Sequence, residues 1–161
     1  MPDVAALTKV CQSCGLCCNG TLFRQGKLRP EEVETAKKNR LVVIEDGPFF
    51  GLPCPRFDAE HRSCTIYEER PNTCRGFECR LLARFAREGG PIEVPLEGVR
   101  RVKELIAALE AKGMDMTPGA PRVVSGDGDD AFEVFTLFTE LMERLERDFE
   151  RAPDAEGQPS D

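Results

Sequence analysis

The chain has 161 residues and a formal net charge of −7, with eight cysteines, 10 phenylalanines, one tyrosine, one histidine and no tryptophan. That length fits one domain of ordinary size, or a domain with a helical appendage, and its core must lean on Leu, Val and Phe. From Gly126 onward 12 acidic residues face 3 basic ones, whereas residues 1–125 carry 19 basic and 17 acidic, which excludes the broad basic surface of a nucleic-acid binder.

At the N-terminus, MPDVAALTKV lacks the charged start and apolar run of a secretory leader. No apolar stretch approaches the ~20 residues of a membrane span. The expected setting is therefore cytoplasmic, with no membrane partner. CQSCGLCCNG follows, with four cysteines in eight positions on a winding loop, where Gly15, Asn19 and Gly20 give backbone freedom. GTLFRQGKL has strand character around Thr21–Arg24 and at Lys27–Leu28. RPEEVETAKKNR predicts a helix entered at Pro30, with Glu31 and Glu32 at the positive end of its dipole. LVVIEDG, residues 41–47, reads as a short strand, and Pro48–Asp58 as irregular chain.

Pro71 limits any helix before it, and ECRLLARFAREG, residues 78–89, predicts a helix with Leu81, Leu82 and Phe85 at helical spacing. A Pro/Gly-punctuated connection over 90–98 leads to a helix over 98–113, with an apolar stripe at Val99, Val102, Leu105, Ile106 and Leu109. Residues 114–128 read as a loop with a short strand at Val123–Val124. The longest helix is expected over 129–151, with Phe135, Phe138, Met142, Leu145 and Phe149 at steps of three and four. Both stripes span only about two heptads, so the helices are expected to pair within the chain rather than form a coiled-coil seam. Residues 152–161 read as a disordered tail.

The chemistry lies in Cys11, Cys14, Cys17, Cys18, Cys54, Cys64, Cys74 and Cys79, all in the first half. In a reducing compartment they do not read as four stable disulfides. Eight sulfurs are the count for two four-thiolate sites, either tetrahedral zinc or four-cysteine iron–sulfur clusters. The C-x2-C-x2-C spacing and the Cys54-Pro55 pair favour an iron–sulfur cluster over Zn2+ by a small margin, and both stay open. Adjacent side chains diverge, so Cys17 and Cys18 can serve two sites or clasp one from two directions. Arg70, Arg75 and Arg80 are spaced around Cys74 and Cys79 as cations that would offset a buried anionic cofactor. His61 reads as a solvated loop residue and Tyr67 as a packed ring. No Ser-His-Asp set, Walker loop or EF-hand spacing is present.

CQSCGLCC, then PCPRF, then CTIYEERPNTCRGFEC resembles the YkgJ-type cysteine-cluster family, whose members are expected to chelate zinc or iron. Every cysteine falls on its pattern, as do Ile66, Tyr67, Arg70, Pro71, Arg75 and Phe77. The resemblance covers roughly residues 8–88 and implies metal chelation by all eight cysteines. A similar cluster is associated with flagellin lysine methylases, which implies an iron–sulfur centre in some relatives. Those chains are much longer, and nothing here identifies a methyl-donor site.

The expected fold is α+β: a small metal-organised domain of irregular loops and short strands over residues 1–94, then a C-terminal helical pair over 95–151 packing on it. The expected function is metal binding through eight thiolates, with a redox role. The rival is a structural zinc module that presents the C-terminal helices to a protein partner, and a third reading is metal storage or delivery.

Overall fold

A computed structural model describes residues 2–44, 47–116, 122–123 and 130–150. The expected tail over 152–161 lies outside them, as do Glu45 and Asp46 of the expected strand, Val124, and most of the expected loop over 114–128. The described residues fall into two units. One takes the chain up to Ser13, Glu78–Asp115 and the chain from Arg122; the other takes Cys14–Phe77 and Met116. The fold is α+β, with helices and short antiparallel strands. No described helix is long and apolar enough to cross a membrane.

The N-terminal segment, where no element is expected, is a helix, α1 (Val4–Cys14). Asp3 starts it by accepting the Ala6 N–H at 2.7 Å, which satisfies one of the donors every helix start leaves open. Gly15 ends it at φ +67°, a left-handed conformation that only glycine adopts without strain.

In the Cys14–Phe77 unit, β1 (Gln25–Lys27) and β2 (Val43–Ile44) flank β3 (Phe49–Gly51) in an antiparallel sheet. The expected strand around Thr21–Arg24 is displaced to β1. Pro48–Asp58 is not irregular throughout: Phe49–Gly51 gains ladder partners on both sides, and that pairing overrides the Pro/Gly flanks. Gly26 pairs with Phe50 in register, and a Cβ at Gly26 would strike the Phe50 ring. A second ribbon pairs β4 (Phe57–Asp58) with β5 (Ser63–Cys64). Pro30 opens a single 3-10 turn, Pro30–Glu32, that runs into α2 (Val33–Lys38). Glu32 accepts the Arg29 N–H at 2.8 Å and the Asn72 N–H at 2.6 Å, tying this helix start to α3 (Asn72–Gly76), which begins directly after Pro71. Leu28, Ala36, Leu41, Phe50 and Ile66 form the buried cluster.

In the other unit, α4 (Arg80–Glu88) buries Leu81 and Phe85 and ends at the Gly89–Gly90 pair. The next helix, α5 (Glu93–Ala111), starts earlier than expected. Pro95 is tolerated because it lies in the first turn, where its missing N–H has no intrahelical partner. Its buried line, Val99, Val102, Leu105 and Leu109, follows the expected stripe. After α5, β6 (Met114–Asp115) pairs with β7 (Arg122–Val123).

The last helix, α6 (Ala131–Arg144), continues into a π-helical turn at Leu145–Phe149. It spans 14 residues against 19 for α5, so α5 is the longest described helix. The two helices pair: Arg101 holds Glu140 at 2.6 Å and Lys112 holds Glu133 at 2.7 Å, so they run antiparallel. These ion pairs set the rotation of α6 and turn Leu141 inward, at 1 % exposure. Phe135 and Met142 then stand about 120° and 100° round the helix from Leu141. Both are exposed, at 68 % and 47 %. Phe138 and Leu145 are half-buried. The expected aromatic stripe thus mixes two faces, and of its members only Phe149 is fully buried. The π turn buries Asp148 beside Phe149, and Asp148 is paired with Arg84 at 2.8 Å and Arg147 at 2.6 Å. Their hydrogen bonds outweigh the cost of burial and hold this carboxyl below its usual range.

Two outcomes follow from this helix pair. Leu141→Ala should destabilise the protein by about 2–5 kcal/mol, and Phe135→Ala by less than about 0.5 kcal/mol, in denaturant unfolding; equal losses would contradict the rotation of α6. Hydrogen bonds from Arg101 and Arg144 hold the Glu140 carboxyl down to about 2, against an ordinary 4.5. A depressed folded-state value stabilises above the unfolded value and fades as pH falls through the folded one. Thermal melts from pH 5 to 2 should therefore decline more steeply in wild type than in Glu140→Gln; parallel slopes would refute this coupling.

Candidate metal centre

No disulfide joins any of the eight cysteines, all of which are described. Cys11 and Cys14 lie three residues apart on α1, not on a loop as expected, so their side chains share a helix face. After Gly15 the chain turns back on itself, with the Asn19 N–H donating to the Gly15 carbonyl at 2.9 Å and the Thr21 N–H to Asn19 Oδ1 at 2.9 Å. Gly20 is also left-handed, at φ +86°. This tight winding carries Cys17 and Cys18.

Three further cysteines of the same unit are drawn towards this turn. The Cys54 N–H donates to the Cys18 carbonyl at 2.7 Å. The Phe57 N–H donates to the Cys54 carbonyl at 3.1 Å, and Phe57 pairs with Cys64 across the β4–β5 ribbon. The Phe57 ring covers Gly15 so closely that any Cβ there would strike it. Cys54 and Cys64 both pack against the Leu28–Phe50–Ile66 cluster. Cys74 sits in α3, whose following residue Phe77 meets Phe23 edge-on with ring centroids 5.0 Å apart.

Electrostatics reflects this crowding. Cys74 is exposed as a residue, yet its thiol is pushed up to about 12 by loss of hydration, with the proximity of Cys54 and Cys64. Burial, opposed by backbone N–H groups and reinforced by Cys64, raises Cys54. In the other unit, Cys79 stands at the start of α4 and is buried; burial raises its thiol, and Cys11 adds to the rise. Neutral thiols are what such sites hold in the absence of a cation, and a bound cation reverses the balance.

Two cationic groups next to the sulfurs are incompletely satisfied. Arg56 Nε and Arg70 Nε are buried with no hydrogen-bond partner among the described residues. Arg56 lies near enough to Cys54, and Arg70 to Cys74, to favour the thiolate forms. Buried N–H donors without acceptors are rare. Arg70 also stacks on the Tyr67 ring, 3.8 Å from its centroid, in keeping with the packed ring expected there.

Of the other expected cofactor-side cations, Arg75 donates from Nε to the Arg70 carbonyl at 3.0 Å and from Nη2 to the Glu68 carbonyl, bracing the backbone that carries Arg70. Arg80 pairs with Glu150 at 3.1 Å and donates to the Glu146 carbonyl at 3.0 Å. His61 is exposed and meets Asp58 at 2.7 Å. Arg56 was missed from sequence, although it follows Cys54 at two residues in PCPRF.

The donor set suits a soft or borderline metal: thiolate sulfurs, with buried guanidinium N–H groups for the charge they would carry. The spacing is looser than the chemistry. Among the described residues no three His, Cys, Asp or Glu side chains converge tightly enough to hold a metal ion as they stand. The sulfurs are assembled in neighbourhoods that ligation would have to draw in.

No curated protein and no solved structure matches the chain at a significant level. A family model for CxxCxxCC, described as "Putative zinc- or iron-chelating domain", matches residues 10–90, half of the chain, and that span includes all eight cysteines. The chain belongs to the CxxCxxCC family of zinc- or iron-chelating domains.

Proposed function

We propose that this protein is a thiolate metalloprotein of a reducing, cytoplasmic compartment, with Cys11, Cys14, Cys17, Cys18, Cys54, Cys64, Cys74 and Cys79 as its ligands and iron–sulfur as its resident metal chemistry. The observation that carries the reading is the pair of buried, unsatisfied Nε atoms of Arg56 and Arg70 beside Cys54 and Cys74, which suit an anionic multi-thiolate centre. The C-x2-C-x2-C run and Cys54-Pro55 favour iron–sulfur over zinc. Such a cluster supplies a redox couple when bound, whereas zinc supplies none.

The protein's own residues bind and tune. Backbone N–H groups of Arg56 and Phe57 favour the Cys54 thiolate, and those of Leu81 and Leu82 favour the Cys79 thiolate. Arg70 lies near enough to Cys74 to favour its thiolate, Arg75 positions it, and Arg80 anchors the α4 start that presents Cys79.

The second reading, a structural zinc module that acts as an adaptor, is favoured by one observation. Phe132 and Phe135 stand out from α6 at 82 % and 68 % exposure, with Met142 at 47 %. Single exposed apolar residues are ordinary, but three on one helix face are a feature of interaction surfaces.

Anaerobic reconstitution with ferrous iron and sulfide separates the two. The iron–sulfur reading expects brown protein with acid-labile sulfide in proportion to iron, bleaching on reduction, and a melting temperature above that of the metal-free form. Failure to retain iron and sulfide, with tight stoichiometric zinc instead, would replace it with the zinc module.

A further inference from the structure

The eight sulfurs do not form one pool. We infer that Cys18, Cys54, Cys64 and Cys74 make up one four-thiolate centre inside the Cys14–Phe77 unit, with the Nε–H groups of Arg56 and Arg70 as its hydrogen-bond donors, while Cys11 and Cys79 serve a different centre. The inference rests on the thiolate metalloprotein reading and adds which cysteines act together.

Backbone geometry selects the members. The bond from the Cys54 N–H to the Cys18 carbonyl, at 2.7 Å, lays the two segments side by side. Phe57 bonds to Cys54 and pairs with Cys64, and its ring closes over Gly15 at the head of the Cys17–Cys18 turn. One aromatic residue thus links the turn, the Cys54 corner and the ribbon strand that carries Cys64. Cys54 and Cys64 rest on the same buried cluster. The Phe23–Phe77 contact brings the end of α3, and with it Cys74, against the chain that leaves Cys18.

Four thiolates complete either a tetrahedral zinc site or a cubane cluster. Of the adjacent pair, Cys18 is the one whose backbone carbonyl accepts from the Cys54 N–H. A centre of four thiolates and a metal is a net anion, and the two unsatisfied guanidinium Nε atoms stand beside two of its sulfurs. Cys11 and Cys79 both lie in the other unit. Because no trio of side chains converges as it stands, the metal itself draws the four sulfurs in.

Cobalt(II) titration of the anaerobic, metal-free full chain tests this, read by the visible bands of tetrahedral cobalt–thiolate and by native mass spectrometry. Wild type should take two equivalents. Cys64→Ser, Cys74→Ser and their double mutant should each lose the same one equivalent, as should Cys18→Ser. Cys79→Ser should lose the other, and Cys64→Ser with Cys79→Ser should lose both. A Cys64/Cys74 double mutant that loses both equivalents while folded, or Cys17→Ser grouping with Cys64→Ser in place of Cys18→Ser, overturns the assignment.

If a variant does not fold, alkylation of wild type at one equivalent of cobalt answers the same question. Cys18, Cys54, Cys64 and Cys74 should be protected together or exposed together, whereas a protected set mixing Cys64 with Cys79 overturns it. Wild type that binds no cobalt, zinc or iron sinks the metalloprotein reading itself, an outcome distinct from two equivalents bound with the wrong partition.

Discussion

Thiolates brought close together repel each other, and this constraint bears on the Cys14–Phe77 unit, where Cys54 and Cys64 pack on the same buried cluster and both act on Cys74. Two like charges 4 Å apart cost about 4 kcal/mol at an effective dielectric of 20, before any desolvation penalty. Loss of hydration, with the proximity of Cys54 and Cys64, raises the Cys74 thiol and so disfavours its thiolate in the absence of a cation. A metal cation reverses that balance. The surrounding structure is slight: strands of two or three residues and a cluster of five buried side chains. Structural zinc contributes about 10–16 kcal/mol in small zinc-binding peptides, comparable with the ~5–15 kcal/mol that stabilises a typical whole domain. Thiolate ligation is thus large enough to decide the order of these loops.

The helical unit obeys a different logic. Its core is a conventional one, with Val99, Val102, Leu105, Leu109, Leu141 and Phe149 buried along α5, α6 and the π turn. Charge acts there as an orienting device. The Arg101–Glu140 and Lys112–Glu133 pairs fix which face of α6 turns inward, and Arg84 with Arg147 allows Asp148 to be buried beside Phe149. Cys79 opens α4, and Cys11 lies on α1, so regular helices rather than loops carry that sulfur pair.

The cysteines, the Gly15 and Gly20 turns, the Pro30 helix start and the α5 stripe were all legible, because each depends on local chemistry or a strong period. The N-terminal helix was not: its pattern is short, and the glycine-flanked cysteine run has the composition of a loop. Phe49–Gly51 was unreadable as a strand because its ladder partners, Gln25–Lys27 and Val43–Ile44, are supplied from outside the segment. The face of α6 was misjudged because aromatic residues lie on two sides of it, and the choice between them is made by ion pairs to α5. The π turn gives no period that a helical stripe would display. At the sulfur site, Arg56 was hidden in plain view: its sequence position is visible, but the burial and missing acceptor of its Nε are tertiary facts. Which cysteines neighbour one another also depends on the Phe57 link, and no spacing encodes it.

X-ray absorption at the metal edge of anaerobically reconstituted protein tests the central claim, that thiolates of this chain are the ligands. The account predicts a first shell made of sulfur alone, at about 2.3 Å. A shell dominated by nitrogen or oxygen at about 2.0–2.2 Å would contradict it.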